Sequence, residues 1–165
     1  MKYTVSTSFG NFTLSLFPED APATVKNFST YVEENFYNST IFHRVIDGFM
    51  IQGGGFDKNL EEKSTKEPIQ NEANNGLSNK ALTIAMARTS EPHSASSQFF
   101  INLVDNSFLD FNEETSDGWG YAVFGEVIEG QETIFKIGKV QTGTRGFFQD
   151  VPVKPIEIQK ITKLK

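Results

Sequence analysis

The sequence predicts a mainly β protein, a closed eight-stranded antiparallel β-barrel capped by two α-helices. Three observations carry this. About eight short runs alternate apolar and polar residues at the two-residue period of a strand. Only two segments show the helical period. Strands and helices do not take turns as they would in a doubly wound parallel sheet. A β-sandwich can be built from the same ingredients and is the alternative architecture.

The elements follow in chain order. Tyr3 and Val5, then Phe12, Leu14 and Leu16, alternate with polar residues around Gly10-Asn11, which predicts a hairpin turning there. Pro18 stops the second strand, and Asp20 is placed to cap a helix whose apolar stripe is Val25, Phe28, Val32 and Phe36, about four turns long. Residues 41–46 and 50–52 flank Asp47-Gly48 as a strand pair, and Gly53-Gly54-Gly55 ends it with backbone freedom. The polar stretch from Asp57 to Lys80 has no period and reads as a long surface excursion, a kind of loop that is usually functional. Strands resume at 82–87, 98–103 and 122–127, and a short helix over 131–137 ends at Gly138. The last strand, 156–164, changes phase between Ile158 and Ile161, which predicts a bulge. With no repeat, linker or low-complexity segment, residues 1–165 are expected to form a single domain.

Composition narrows the function classes. A chain of 165 residues suits one core, burying roughly 70% of the surface exposed when unfolded. Its 16 Phe against one Trp and four Tyr predict a core of packed rings. The lack of cysteine removes disulfides, thiolate metal sites and a cysteine nucleophile. Fifteen Lys and Arg against 21 Asp and Glu leave a net charge of −6 with no basic run, a poor match to nucleic acid or anionic membranes. Neither a signal-peptide pattern nor an apolar run of membrane-spanning length is seen, so the expected location is cytoplasmic and the expected state monomeric.

Chemistry concentrates between Phe42 and Gly54. By strand parity His43 and Val45 share one face while Phe42 and Arg44 share the other. With Ile51 inside, Met50 and Gln52 point outward; with Phe99 and Ile101 inside, Gln98 and Phe100 do so too. An outward set of Arg44, Met50, Gln52, Gln98 and Phe100 has the make-up of a peptide groove, and parity alone equally allows a scatter of exposed residues. Two histidines in no ligand spacing argue against a metal site. His43 reads as a hydrogen-bonded core residue in preference to a general base. No Gly-x-Ser-x-Gly elbow is present, and the glycine run lacks the Gly-Lys-Ser/Thr of a phosphate loop.

The block Phe42-His43-Arg44-Val45-Ile46 to Gly48-Phe49-Met50-Ile51-Gln52-Gly53-Gly54 closely resembles the signature of the cyclophilins, the cyclosporin-binding peptidyl-prolyl isomerases. Met86-Ala87-Arg88-Thr89, Ser94 to Ser97 with Gln98-Phe99-Phe100-Ile101, and Val123-Phe124-Gly125-Glu126-Val127 follow in that family's order. The resemblance implies a cyclophilin-like barrel that rotates Xaa-Pro bonds and assists protein folding, without cofactor or metal. It implies catalytic roles for Arg44 and for Gln52, which would bond the substrate backbone, and a proline pocket of Phe49, Met50, Phe100 and Leu109 with Gln98 on its rim. Ala87, Arg88 and Thr89 would receive the residues before the proline, chiefly through backbone groups, and Phe108 and Tyr121 complete the substrate-binding set.

Phe108 stands where many members have tryptophan and Tyr121 where many have histidine, as in shorter bacterial-type members. The lost indole N–H implies weak cyclosporin binding. The Phe111 to Gly118 insert and the 57–80 excursion are expected to tune which proline-containing partners fit. The competing function is a proline-peptide binding module or holdase with incidental turnover.

Overall fold

The computed structural model describes residues 1–165. Eleven strands form: β1 (Lys2–Thr7), β2 (Gly10–Leu16), β3 (Thr40–Ile41), β4 (Arg44–Ile46), β5 (Met50–Gly53), β6 (Thr83–Met86), β7 (Phe99–Asn102), β8 (Val123–Glu129), β9 (Thr142–Arg145), β10 (Phe148–Pro152) and β11 (Glu157–Leu164). Nine make one antiparallel sheet in the order β3-β11-β1-β2-β8-β6-β7-β5-β4, and β9 and β10 pair separately as a hairpin. Two helices, α1 (Pro22–Glu33) and α2 (Gln131–Gly138), complete the mainly β fold.

The barrel expected to be closed by hydrogen bonds is a curled, open sheet. Its two edges, β3 and β4, were anticipated as one strand. The ladder breaks at Phe42-His43: Thr40 and Ile41 pair with β11, whereas Arg44 to Ile46 pair with β5. Two residues of chain therefore bridge the seam that hydrogen bonds leave open, and the split turns eight expected strands into nine. It also breaks the parity reading, because Phe42 turns into the main core beside Val45, its ring 6.1 Å from that of Phe99.

That core holds 27 buried residues. Phe28, Tyr37, Phe99 and Phe124 meet at centroid distances of 5.3 to 6.0 Å, so the phenylalanine-rich composition is spent largely on interlocked rings. Phe108, Phe135 and Phe147 are the exceptions and stand exposed.

Helix ends depart from expectation. Asp20 does not cap α1. The helix starts at Pro22, and its free N–H groups are met by Glu72 from the long excursion, which accepts from Thr24 N at 2.7 Å and Ala23 N at 3.3 Å. The excursion is thus pinned to the helix it passes. At the other end Asn35 adopts φ 57° and the N–H groups of Asn35 and Phe36 reach back to Val32 and Tyr31, with the Tyr31 and Phe36 rings 4.7 Å apart. This Schellman closure stops the helix a turn short of Phe36. Gly138 lies inside α2, where a Cβ would come within 2.8 Å of Leu103, so it supplies room for packing and not a left-handed cap.

The first turn sits at Ser8-Phe9, two residues before the expected Gly10-Asn11, and Thr7 Oγ1 bridges it by accepting from Phe9 N and donating to Gly10 O. The bulge expected in the last strand is present: Ser6 opposes Lys160 and Thr7 opposes Ile158, leaving Gln159 unmatched. The β9–β10 hairpin escaped the sequence reading because β9 is Thr-Gly-Thr-Arg, with no apolar alternation to signal it.

Candidate active site

Register builds the site. Arg44 lies opposite Gln52, and Gln52 opposite Phe100, so one row crosses β4, β5 and β7 on the outer face of the sheet. Met50, Ala85, Phe100 and Val123 form a small second cluster on that side. Over it lies a cleft of about 170 Å³ lined by Arg44, Phe49, Met50, Gln52, Ala87, Arg88, Phe100, Leu109 and Tyr121. All nine are residues that the sequence singled out.

The outward set is not exposed as parity implied. Met50 is 2% and Phe100 4% accessible, because Phe49, Leu109 and Tyr121 arrive from irregular segments and roof the outer face. Parity gave the correct side of the sheet but had no view of what the loops lay over it.

The polar border is a relay of side chains. Arg44 Nη1 donates to Gln52 Oε1 at 3.4 Å, and Gln52 Nε2 donates to Gln98 Oε1 at 3.0 Å. Arg44 is exposed and has no carboxylate partner; the protein's ion pairs are Lys66–Glu34 and Lys139–Asp47. Its charge is therefore available to a ligand. Gln98 is wedged against Gly55, where a Cβ would stand 2.5 Å from Gln98 Cγ. The last glycine of the run thus clears space for the rim.

Arg88 has its cation occupied within the wall. Nε donates to Gly120 O at 2.9 Å, Nη1 to Thr89 O at 2.8 Å, and the guanidinium lies 4.5 Å from the Tyr121 ring centre. Tyr121 in turn meets Phe100 edge-on at 5.7 Å. Three of the expected residues fall outside the cleft itself. Thr89 and Gln98 line an adjoining polar groove of about 380 Å³. Phe108 borders another hollow beside Tyr121; it is 73% accessible and stacks on Phe49 at 5.8 Å.

Neither histidine reaches the cleft. His43 is buried against Phe56 with ring centres 4.6 Å apart, and its Nδ1 has no partner, contrary to the hydrogen-bonded role expected of it. Burial, and then the neighbouring Arg44 charge, hold its pKa down at about 4, so it is neutral at neutral pH. His93 accepts from Asn71 N at 3.0 Å and packs on Trp119. No group of three or more His, Asp or Glu side chains is arranged to hold a metal.

The sequence reading missed Asn79, Asn102 and Asn106, which are buried behind the cleft and bonded to one another. The one available signal was Asn102, closing a strand, an element in which that residue type is depleted.

An apolar floor, an arginine without a carboxylate partner and a row of amides on the outer face of a curled antiparallel sheet make a shallow groove with the composition of a peptide-binding site. Residues 2–163 match the family model of cyclophilin-type peptidyl-prolyl cis-trans isomerases. The chain is 56% identical over 159 residues to peptidyl-prolyl cis-trans isomerase B of Escherichia coli, covering 96% of this chain and 97% of that one. It is 54% identical over 161 residues to peptidyl-prolyl cis-trans isomerase A of Dickeya dadantii, covering 98% and 83%. A cyclophilin-type isomerase of Cryptosporidium parvum, crystallised in the presence of the dipeptide Ala-Pro, superposes with a TM-score of 0.85 at 26% identity over 100% of this chain and 99% of that one. The chain belongs to the cyclophilin-type peptidyl-prolyl cis-trans isomerases, and its activity is cis-trans isomerisation of Xaa-Pro peptide bonds.

Proposed function

We propose that the cleft beside Arg44 is where this isomerase turns the prolyl bond, with the proline ring seated on Met50 and Phe100 and Arg44 acting on the amide. The observation that carries the reading is the exposed Arg44 guanidinium, with no carboxylate partner, at the edge of a cleft floored by Met50 and Phe100.

An Xaa-Pro amide is held planar by resonance, with a rotation barrier of about 18–20 kcal/mol, and crosses it unaided in tens to hundreds of seconds. No covalent bond breaks. Twisting leaves a lone pair on the prolyl nitrogen, so a donor aimed there binds the twisted state better than the planar one. Arg44 offers permanent donors at that edge and needs no proton transfer. Gln52, its amide already oriented by Gln98, is suited to bonding the substrate backbone on the same side.

Shortening tens of seconds to milliseconds is about a 10⁴-fold gain, or roughly 5.5 kcal/mol. One charged hydrogen bond supplies about 1.5–3 kcal/mol, so Arg44 needs help. The floor of Met50 and Phe100, flanked by Phe49 and Leu109, provides it by gripping the ring while the acyl side turns and by excluding water from the Arg44 contact.

The residues before the proline fit the adjoining groove. Ala87 N–H is taken by Gln98 O and Thr89 N–H by Ser94 Oγ, whereas the Ala87 carbonyl and Arg88 N–H have no bond within the protein and are open to an extended peptide. Proline-containing segments of flexible or unfolded proteins are the partners this favours, in a folding-assistance role. Phe108 has no N–H to offer a ligand, which supports weak cyclosporin binding. We place the activity in a cytoplasmic monomer, two statements tested by cell fractionation and light scattering.

Arg44→Ala is expected to lose at least tenfold in isomerisation rate while keeping the fold. Exchange NMR on a short Xaa-Pro peptide measures this, and a wild-type rate in the variant would remove Arg44 from the mechanism.

A further inference from the structure

The cleft is walled by two kinds of backbone. Met50 and Phe100 stand on β5 and β7, whose spacing the ladder sets. Phe49, Leu109 and Tyr121 stand outside the strands, on the turn after β4, on the 3-10 turn Ser107–Leu109 and on the segment before β8. The ladder reaches Phe49 through a single bond, Leu103 N to its carbonyl at 2.9 Å, and Tyr121 N–H ties that residue to the Leu109 carbonyl at 2.9 Å, but neither bond sets the distance between Phe49 and the other two across the pocket.

A buried run of amides behind the cleft does hold them. Asn106 Nδ2 donates to the Phe49 carbonyl at 3.0 Å and to Asn102 Oδ1 at 2.8 Å. Asn102 Nδ2 donates to Asn79 Oδ1 at 3.1 Å and to Thr83 Oγ1 at 2.9 Å. Asn79 Nδ2 shares its two protons among the Leu109 carbonyl at 3.3 Å, the Tyr121 carbonyl at 3.3 Å and Asp110 Oδ1 at 3.0 Å. Asp110 is fixed in its turn by Asn79 N at 2.7 Å and Ser78 Oγ at 2.6 Å. One connected path thus joins the backbone carbonyls of Phe49, Leu109 and Tyr121, three wall residues that lie outside the strands.

The three amides are buried: Asn79 and Asn102 fully, and Asn106 is 3% accessible. In such surroundings hydrogen bonds are strengthened, and deleting the Asn106 amide leaves Asn102 Oδ1 buried and unpaired. Asparagine has an apolar competitor of similar size in leucine, so packing alone does not call for three amides here. Holding three carbonyls at set distances does.

We propose that Asn79, Asn102 and Asn106 are positioning residues that set the width of the proline pocket, and through it the preference of the isomerase for a five-membered ring. This rests on reading the cleft as the proline site. A well-fitted apolar pocket separates substrates differing by one methylene by roughly 10–200-fold, and a pocket with loosened walls cannot.

The test compares exchange rates, as kcat/KM by NMR, for an Ala-Pro peptide and the same peptide carrying the six-membered pipecolic acid. Wild type is expected to favour proline at least tenfold. Asn106→Ala and Asn79→Ala are expected to shrink that ratio at least threefold. Ser29→Ala, which removes a buried bond to the Tyr3 hydroxyl in the main core, should lower the melting temperature and leave the ratio alone. All variants are assayed below their melting temperatures by circular dichroism. If the alanine variants do not fold, Asn106→Ser, which keeps a donor on a shorter side chain, carries the test with the same threefold expectation.

A ratio unchanged in the Asn106 variant overturns the proposal however far both rates fall, because a merely structural role lowers both together. A wild-type ratio near one overturns it too. Phe100→Ala separates the two levels of the argument: if it loses more than tenfold while the Asn106 ratio stays put, only the positioning role fails, and if it keeps the wild-type rate, the proline-site reading fails and the proposal with it.

Discussion

The two sides of the main sheet are built from the same alternating strands and end in opposite conditions. The inner side closes on 27 buried residues, drawing Val25 and Phe28 from α1 and Ile134 and Ile137 from α2 into one apolar body. The outer side buries four, Met50, Ala85, Phe100 and Val123, and the partly buried rings of Phe49 and Tyr121 with Leu109 roof them incompletely. Inside, the chain supplies every neighbour its side chains need. Outside it stops short, and the shortfall is the cleft. A binding site here is an unfinished core with a cation at its edge.

The sharpest way to break that comparison is to truncate one ring on each side. Phe28→Ala removes a fully buried ring that touches Tyr3, Tyr37, Phe99 and Phe124, and is expected to cost about 3–5 kcal/mol in denaturant unfolding, with little change in the turnover of whatever remains folded. Phe100→Ala should show the reverse, a smaller loss of stability with more than tenfold lower kcat/KM, since its outer face already borders the cleft. Equal stability losses and unequal turnover in the wrong order would mean that the two clusters do not divide the labour.

Legibility in the sequence divides along the same line. The inner face was readable because its residues repeat at the strand period: Tyr3 with Val5, Phe12 with Leu14 and Leu16, Phe99 with Ile101. Arg44, Gln52 and Phe100 could be assigned to one outward row by parity, and register confirms the row. Their role in proline chemistry came from the motif resemblance, since nothing in alternation speaks of substrate. Three things stayed hidden for a common reason, dependence on long-range contacts. The break at Phe42-His43 is decided by which strands compete to pair on either side. The capping of α1 by Glu72 spans 48 residues from Thr24. The Asn79–Asn102–Asn106 path joins segments whose separations follow no period. Local pattern predicts what a residue faces and is silent on what distant chain is brought to face it.

His43 sits at the seam between the edge strands β3 and β4, outside both clusters, and offers a second way to probe the fold. Its pKa in the folded protein, about 4, lies below the 6.5 of an unfolded chain, so the unfolded state takes up the proton first. Stability is therefore undiminished by this group above pH 6.5, falls as the pH drops from 6.5 toward 4, and levels off below, for a total of at most about 3 kcal/mol. His43→Leu abolishes this slope. Urea unfolding of both proteins at half-unit steps from pH 7.5 to about pH 4 measures it, and parallel curves would mean that His43 is not buried in neutral form at the seam.

The smallest effect lies at the rim, where the outer side is finished by side chains alone. Gly55→Ala places a methyl 2.5 Å from Gln98 Cγ, so Gln98 must swing away and its 3.0 Å bond from Gln52 is lost. Gly55 is not among the residues with positive φ, so the backbone tolerates alanine and the fold should hold. One hydrogen bond in partly exposed surroundings is worth about 0.5–1.5 kcal/mol, which predicts a KM for an Xaa-Pro peptide raised about two- to tenfold as Gln52 loses its orientation. Because Arg44 is untouched, kcat should change less than KM. Side-chain amide resonances of Gln52 and Gln98 should shift together in the variant. If they shift and KM does not, Gln52 bonds substrate without needing Gln98 to aim it; if neither moves, the outer rim is more yielding than its contacts suggest and the cleft owes its shape to the floor and walls alone.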